Sequence, residues 1–271
     1  MAVAALFERP APDVFVPTGY ARGPWDDRHC HGGPVAALLA RAVDHLDDGS
    51  APGHWQLARL TVELTRPVPV GARLRLTTEV ERAGRSVSLV AARLLDDDAV
   101  VSHARALRIR RADLDLAGTV EPDDPIPPRP ESAQPVSWQL PTDDTVRFHS
   151  HSCDHRVVAG AMDEPGPTTD WISLRVPVLA GEPPGDVERV AAAVDFGNGI
   201  SSGIAGDDVA FINPDLTIHL VRPPIGDAIA IASSTHYGLP ANAGVAMAES
   251  AIYDLDGRIG RSVQSLILQP H

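Results

Sequence analysis

Two groups of residues in this sequence have the types and spacing for chemistry of their own. The first is residues 199–203, Gly-Ile-Ser-Ser-Gly, which has the Gly-x-Ser-x-Gly spacing of a nucleophilic serine. Such a serine needs a strand before it and a helix after it. Here a helix-like segment precedes Ser201 and extended segments follow. We therefore interpret residues 199–203 as a flexible connection rather than a nucleophile.

The second group consists of residue types that bind metal ions. Four of them alternate along one segment: His149, His151, Cys153 and His155. On a strand they would share one face, but same-face neighbours are roughly 6.6 Å apart, so at most two could hold one ion. The cluster at 29–31, His-Cys-His, meets the same difficulty. We predict no metal site.

Composition limits the remaining classes of function. The 271 residues, 44% of them hydrophobic, suffice for one large domain or two modest ones. The net charge of -13 argues against nucleic-acid binding, which needs a basic surface. All 23 basic residues are Arg, which excludes Schiff-base chemistry and a P-loop lysine.

Several features favour a cytoplasmic protein. Cys30 and Cys153 are too few for a disulfide framework. No stretch approaches the roughly 20 apolar residues that span a membrane. The apolar run near the N-terminus lacks a basic leader, so we expect no signal peptide.

The chain contains an internal repeat. Residues 60–67 read LTVELTRP and residues 216–223 read LTIHLVRP, an offset of 156 residues. Extended segments follow in the same order in each half, with an acidic turn before the last of them. In the first half they are 73–82, 86–95 and 99–110; in the second they are 228–237, 242–253 and 259–269. Each half is thus predicted to end in a four-segment antiparallel meander.

One helix is predicted before each meander. Residues 34–46 have apolar residues at helical spacing with Pro34 near the first turn, and residues 186–194 have Asp186 as candidate N-cap. Both helices are rich in Ala and Val, which suits a helix enclosed by a curved sheet. Residues 113–141 are rich in Pro and Asp and are predicted to be a linker.

A buried helix followed by a curved antiparallel sheet is typical of an α+β hot-dog unit. We predict a double hot-dog, with two antiparallel sheets that each wrap around a central helix and pair edge to edge. The predicted units are an N-terminal hot-dog (1–112), the linker (113–141) and a C-terminal hot-dog (142–271). Two unrelated α+β modules are the alternative, which the repeat disfavours.

Residues 25–34, WDDRHCHGGP, and the helix after them resemble the start of TesB-like acyl-CoA thioesterases. The second half resembles the same family from Asp195 through Asn213 to Gln264. The resemblance implies a double hot-dog that hydrolyses fatty acyl-CoA to free acid and CoA, with no metal or organic cofactor. It also implies further association into homo-oligomers.

The family's catalytic residues are an Asp, a Thr or Asn, and a Gln, and the resemblance places them at Asp195, Asn213 and Gln264. Asp195 would act as the base or orient a water, while both amides hold the water or the thioester oxygen. His31, Gly32 and Gly33 are the predicted substrate-binding residues, because their backbone N–H groups lie at a helix N-terminus and the glycines permit close approach.

Each of these residues also has a structural interpretation, and other functions are possible for the fold. Asp195 could merely end its helix, Gln264 could face solvent, and Asn213 before Pro214 could start a turn. When the last strands are matched, Arg105 takes the place of Gln264, so the first half is predicted to lack catalytic activity. A non-catalytic acyl-CoA or lipid-binding protein and an acyl-CoA hydratase or dehydratase are the alternative functions.

Overall fold

The structure, a computed structural model, describes residues 4–51, 53–120, 122–136, 144–204, 209–238 and 244–270. Each half contains a hairpin, a helix and a set of four long strands. The first half comprises β1 (Phe7–Ala11), β2 (Val14–Pro17), α1 (Gly32–Asp44), β3 (Trp55–Glu63), β4 (Leu74–Ala83), β5 (Val87–Asp96) and β6 (Ala99–Arg110).

The second half repeats this order with two insertions, α3 and β9. It comprises β7 (Cys153–Ala159), β8 (Thr168–Leu174), α2 (Asp186–Val194), α3 (Gly197–Ile200), β9 (Val209–Ile212), β10 (Asp215–Leu220), β11 (Ala228–Tyr237), β12 (Val245–Asp254) and β13 (Gly257–Pro270). Single helical turns lie at Gly19–Ala21, Pro130–Ser132 and Phe148–Ser152, the last of them π-helical.

All the strands belong to one antiparallel sheet. Its order is β1-β2-β4-β5-β6-β3-β10-β13-β12-β11-β8-β7, with β9 paired to β13. The halves join where β3 meets β10, and Thr61 lies opposite Thr217 at the centre of that pairing. The Thr217 hydroxyl donates to the Thr61 hydroxyl over 3.2 Å. The predicted double hot-dog, with its sheets paired edge to edge, is confirmed.

The predicted four-segment meander is wrong in one respect. The first segment of each set pairs with the last, β3 with β6 and β10 with β13, rather than with the segment that follows it. The connection after β3 cannot form a hairpin because its backbone is bonded elsewhere: Cys30 N–H donates to Val68 O and Val70 N–H to Arg28 O, each over 2.8 Å. The strand that carries the repeat motif is therefore the one that joins the halves.

Both predicted helices form. α2 has its predicted bounds, but its N-cap is Gly185, and Asp186 lies in the first turn, where it pairs with Arg189. α1 begins two residues before the predicted start because the His31 ring accepts the N–H of Gly33 over 3.1 Å and so caps the helix.

The two helices pack antiparallel inside the sheet. A Cβ added to Gly33 would lie 2.8 Å from the carbonyl oxygen of Ala192, so the helix backbones approach closely where these small residues meet. The N-terminus of α1 consequently lies beside the C-terminus of α2. At the opposite ends, Arg41 of α1 donates to Glu188 of α2 over 2.9 Å.

The segment between β6 and β7 packs on the second half. The Trp171 indole donates to Pro128 O over 2.8 Å, and Val136 pairs with His155. Residues 121 and 137–143 lie outside the described part, so the boundaries of the predicted linker stay a prediction. Among the described residues, no helix has both the length and the apolar character to cross a membrane.

Candidate active site

Asp195 ends α2 and lies at the junction of the two halves. Its side chain is 2% exposed, and each carboxylate oxygen has a close partner. The Asn213 amide donates to Oδ1 over 2.7 Å, and His31 Nδ1 lies 2.8 Å from Oδ2. The carboxylate is thus a fixed, buried negative group, which is unusual for Asp unless it is paired.

Gln264 lies on the inward face of β13 beside Asp195. Its Nε2 is 3.3 Å from the Asp195 backbone oxygen and 3.5 Å from Oδ1, while its Oε1 accepts the Asn198 N–H over 3.1 Å. A Cβ on Gly197 would lie 2.9 Å from Oε1. α3 can therefore approach the amide only because a glycine stands at this position.

The N-terminus of α1 reaches the same carboxylate from the first half. A Cβ on Gly32 would lie 2.7 and 2.8 Å from the two oxygens of Asp195. The partial positive charge of a helix N-terminus stabilises an anion at this distance. The structure thus brings all the predicted site residues together around Asp195, although the helix that carries His31, Gly32 and Gly33 belongs to the other half.

Sequence reasoning missed the residues that enclose this cluster. The His31 ring packs against Phe148 and Phe196, with centroid distances of 5.2 and 4.9 Å, and the two phenyl rings stack on each other. Asn198, whose N–H orients Gln264, was missed as well. The proximity of Phe196 and Asn198 to Asp195 in the sequence was the only available signal.

A second buried histidine–aspartate pair lies behind Phe196. His155 Nδ1 is 2.6 Å from Asp170 Oδ2, and the His155 ring meets Phe196 edge on. Burial raises the pKa of Asp170, although the His155 hydrogen bond acts in the opposite direction. His155 Nε2 lies 3.1 Å from the His149 backbone oxygen, so both ring nitrogens have partners inside the fold, and we assign the pair a structural role.

The alternating His and Cys residues do not share a strand face. Residues 148–152 form the π-helical turn, and only Cys153 and His155 lie on β7. The extended geometry considered for this segment is therefore wrong for His149 and His151. In the described ranges, no three His, Cys, Asp or Glu side chains are grouped as a metal site.

Ser201 directly follows α3 rather than a strand. Its hydroxyl donates to Gly197 O over 2.7 Å and lies 2.9 Å from the Thr235 hydroxyl. Neither group can act as a base, which supports the interpretation of this segment as a connection.

The position in the first half that corresponds to Gln264 carries no amide. When β6 and β13 are aligned through their pairing with β3 and β10, Ala106 matches Gln264, and Arg105 matches Val263. The expected match of Arg105 to Gln264 is thus wrong by one residue. Arg105 instead pairs with Glu81 over 2.7 Å on the outer side.

The opposite helix ends are closed by charge pairing. The Glu188 side chain is 2% exposed, and its carboxylate accepts a hydrogen bond from Arg41 over 2.9 Å. Arg41 also forms an ion pair with Glu182. This ion pair occupies the place that the carboxylate cluster has at the other end. The described part of the double hot-dog has one carboxylate–amide cluster of this kind, and the absence of catalytic activity from the first half stays a prediction.

An apolar pocket of about 360 Å³ lies at the end of the second sheet. Its wall includes Ile204, Tyr237 and Leu268. Leu268 lies four residues after Gln264 on β13. The two side chains therefore point to the same face of the strand and are roughly 13 Å apart. The pocket therefore lies on the sheet face that also carries the Gln264 amide.

Solved structures share this architecture over nearly their whole length. The chain is similar to acyl-CoA thioesterase II TesB2 of Mycobacterium marinum, with a TM-score of 0.67, 16% identity and coverage of 98% of this chain and 96% of that chain. It is also similar to a hot-dog protein of unknown function from Alicyclobacillus acidocaldarius, with a TM-score of 0.70, 17% identity and coverage of 96% and 95%. Below 25% identity these likenesses show the double hot-dog fold. A comparison with curated proteins found no match.

Two family models match the two halves of the chain and show its family. The model of the acyl-CoA thioesterase N-terminal domain matches residues 21–109, and that of the C-terminal domain matches residues 124–268. The two matched domains place the chain in the class of thioester hydrolases. The chain is a member of the acyl-CoA thioesterase family, and its double hot-dog is of the TesB-like type.

Proposed function

We propose that this protein hydrolyses acyl-CoA to free acid and CoA with a water activated by Asp195. Gln264 and Asn213 hold the water or the thioester oxygen. The observation that carries this proposal is the convergence of a buried carboxylate, two amides and a helix N-terminus at one point.

A thioester is an activated acyl group, so a positioned water and support for the developing oxyanion suffice. The Asp195 charge draws the proton of the water. The amides are already aligned by Asp195 and by Asn198 N–H, so they need little reorganisation. The α1 N-terminus at Gly32 and Gly33 would receive the developing negative charge of the oxyanion.

The pocket beyond Leu268 fits the acyl part of the substrate. It is lined mainly by apolar side chains and lies on the same sheet face as Gln264. Apolar concave sites of a few hundred Å³ are typical of small-molecule binding. Association of this protein into homo-oligomers stays a prediction from the family resemblance.

An enoyl-CoA substrate separates the candidate functions. A thioesterase releases free CoA and the unsaturated acid, whereas a hydratase yields an intact 3-hydroxyacyl-CoA and a binding protein returns the substrate unchanged. We expect mass spectrometry to show CoA and acid in equal amounts. Hydrated acyl-CoA as the main product would establish the hydratase function and contradict the proposal.

The chemistry at Asn213 can be tested by substitution. Asn213→Thr keeps one donor for Asp195 Oδ1, whereas Asn213→Leu removes the donor and leaves a buried carboxylate oxygen without it. We expect kcat/KM to fall by less than about tenfold in Asn213→Thr and by more than about tenfold in Asn213→Leu. Equal values for both variants would show that the donor at residue 213 has no part in the reaction.

A further inference from the structure

A second cavity, of about 520 Å³, lies at the far end of the first sheet. Its wall includes the end of the β4–β5 hairpin, the last residue of β6 and the segment that follows α1. Because α1 has 13 residues, this segment is roughly 20 Å from the helix N-terminus that meets Asp195. The cavity is therefore separate from the candidate active site.

This cavity is the first-half equivalent of the apolar pocket in the second half. Three strands of each half carry a row of directly paired residues at the same level, which are Tyr237, Ala246 and Leu266 in the second half and Ala83, Ser88 and Arg108 in the first. The alignment of β6 with β13 matches Arg108 to Leu266 and Arg110 to Leu268. Arg110 and Leu268 each line the cavity of their own half. The repeat has thus produced two cavities at equivalent places.

The two equivalent cavities differ in charge. Where the second half has two leucines, the first has Arg108 and Arg110, and Arg85 at the β4–β5 turn adds a third guanidinium group. Asp48 pairs with Arg108 over 2.5 Å. Arg85 and Arg110 have no acidic partner in the described part of the chain, although the protein as a whole carries a net charge of -13. The cavity wall is therefore a local positive site on an acidic protein.

The charged wall is held in place by buried contacts. The Arg108 side chain is 4% exposed, and it also donates to the Ser88 hydroxyl over 3.1 Å. Its Nε has no hydrogen-bond partner among the described residues. A buried guanidinium costs free energy that a single carboxylate offsets only in part. Arg108 and Asp48 thus fix the segment after α1 to the sheet and add positive potential beneath the cavity.

An aromatic pair forms another part of the wall. The Trp55 indole N–H donates to the Ser50 hydroxyl over 3.1 Å, and His54 meets the Trp55 ring edge to face at a centroid distance of 4.7 Å. The Arg108 guanidinium carbon lies 5.5 Å from the centre of the same ring. Trp55 is therefore fixed in position and presents a rigid aromatic surface to the cavity.

We propose that this cavity binds a phosphorylated aromatic compound of the nucleotide type. Two guanidinium groups, of Arg85 and Arg110, match the double negative charge of a phosphate better than the single charge of a carboxylate. Trp55 offers a surface on which a flat ring can stack. The aliphatic side chains of the wall are Val80 and Ala83, which give an acyl chain little to pack against. The proposal does not depend on the proposed thioesterase function.

Calorimetric titration of the full chain with adenosine diphosphate tests the site. We expect binding that Arg85→Gln and Arg110→Leu each weaken by at least about tenfold, because each removes a charge-assisted hydrogen-bond donor. The sheet should accept leucine at residue 110, since the equivalent Leu268 occupies the same place in β13. Arg82→Gln is the matched control. Arg82 is exposed on the same hairpin but lies outside the cavity wall, so its removal should change the affinity by no more than about twofold.

Two further probes separate the parts of the ligand. We expect adenosine diphosphate to bind at least about fivefold more tightly than pyrophosphate, since only the nucleotide has a ring to stack, and more tightly than decanoate. Equal affinities for the nucleotide and pyrophosphate, or tighter binding of decanoate, would overturn the proposal. Equal nucleotide binding by wild type, Arg85→Gln and Arg110→Leu would overturn it as well.

The separation of this cavity from the active site has its own readout. KM for acyl-CoA should be the same in wild type and Arg110→Leu, because residue 110 is remote from Asp195. A KM that rises together with the loss of nucleotide binding would show that the cavity holds part of the substrate, which contradicts a separate site. A wild type that releases no CoA would refute the proposed function, whereas the titrations would still decide whether the cavity binds a nucleotide.

Discussion

Asp195→Asn is expected to lower kcat/KM for acyl-CoA hydrolysis by between about a hundredfold and ten-thousandfold. The substitution preserves size, so the pocket and helix packing should remain. It removes the negative charge that meets Asn213 on one oxygen and His31 on the other. The loss is expected because Asp195 is the proposed base, and an amide in its place cannot take the proton of the water. Steady-state thiol release measures the effect.

Asp154→Asn is the matched control. Its carboxylate is 49% exposed and pairs with Arg175 at the surface, where an ion pair contributes little. We expect kcat/KM of this variant to equal that of wild type. Full activity in Asp195→Asn would remove Asp195 from the mechanism, while the thioesterase assignment from the family would stand.

Gly32→Ala should lower kcat by about a hundredfold and, through the crowded contacts of the new methyl group, lower stability by about 1–3 kcal/mol. The new Cβ would lie 2.7 and 2.8 Å from the oxygens of Asp195 and 2.9 Å from Leu64 Cδ1, so the carboxylate must move. A displacement of about 1 Å is enough for a loss of this size. The helix preference of alanine over glycine offsets this decrease in stability only in part, because residue 32 is the first residue of α1; unfolding by denaturant measures the difference.

Gly238→Ala supplies the control for a new methyl group. A Cβ there meets no atom within 4 Å among the described residues, so activity and stability should both match wild type. If Gly32→Ala kept wild-type kcat, the contact between the α1 N-terminus and the carboxylate would have no role in catalysis.

The fold could be predicted largely because it repeats. The recurrence of residues 60–67 at 216–223 disclosed two equivalent sheets, and Ala-rich periodicity located both helices to within two residues. The pairing of β3 with β6 could not be read from the sequence, since order along the chain favours neighbouring strands. It depends on the loop at 64–73, whose backbone bonds to the segment before α1.

The candidate site was predicted residue by residue, but its assembly was not. Asp195, Asn213 and Gln264 came from the second half alone, and the His-Gly-Gly segment was assigned only to a helix N-terminus. This N-terminus meets Asp195 because the two helices pack antiparallel. The helices contact each other at Arg41 and Glu188, which are 147 residues apart in the sequence and belong to different halves. The one-residue error at Arg105 arose because strand register is set by pairing partners, which the sequence does not show.

The most direct test of the central claim measures free thiol and free acid together, for wild type and Asp195→Asn, over acyl-CoAs from short to long chains. We expect one thiol per acid for at least part of the series in wild type, and a loss of at least about a hundredfold in the variant. A wild type that binds acyl-CoA but releases no thiol from any member of the series would contradict the claim and would favour a non-catalytic acyl-CoA-binding protein.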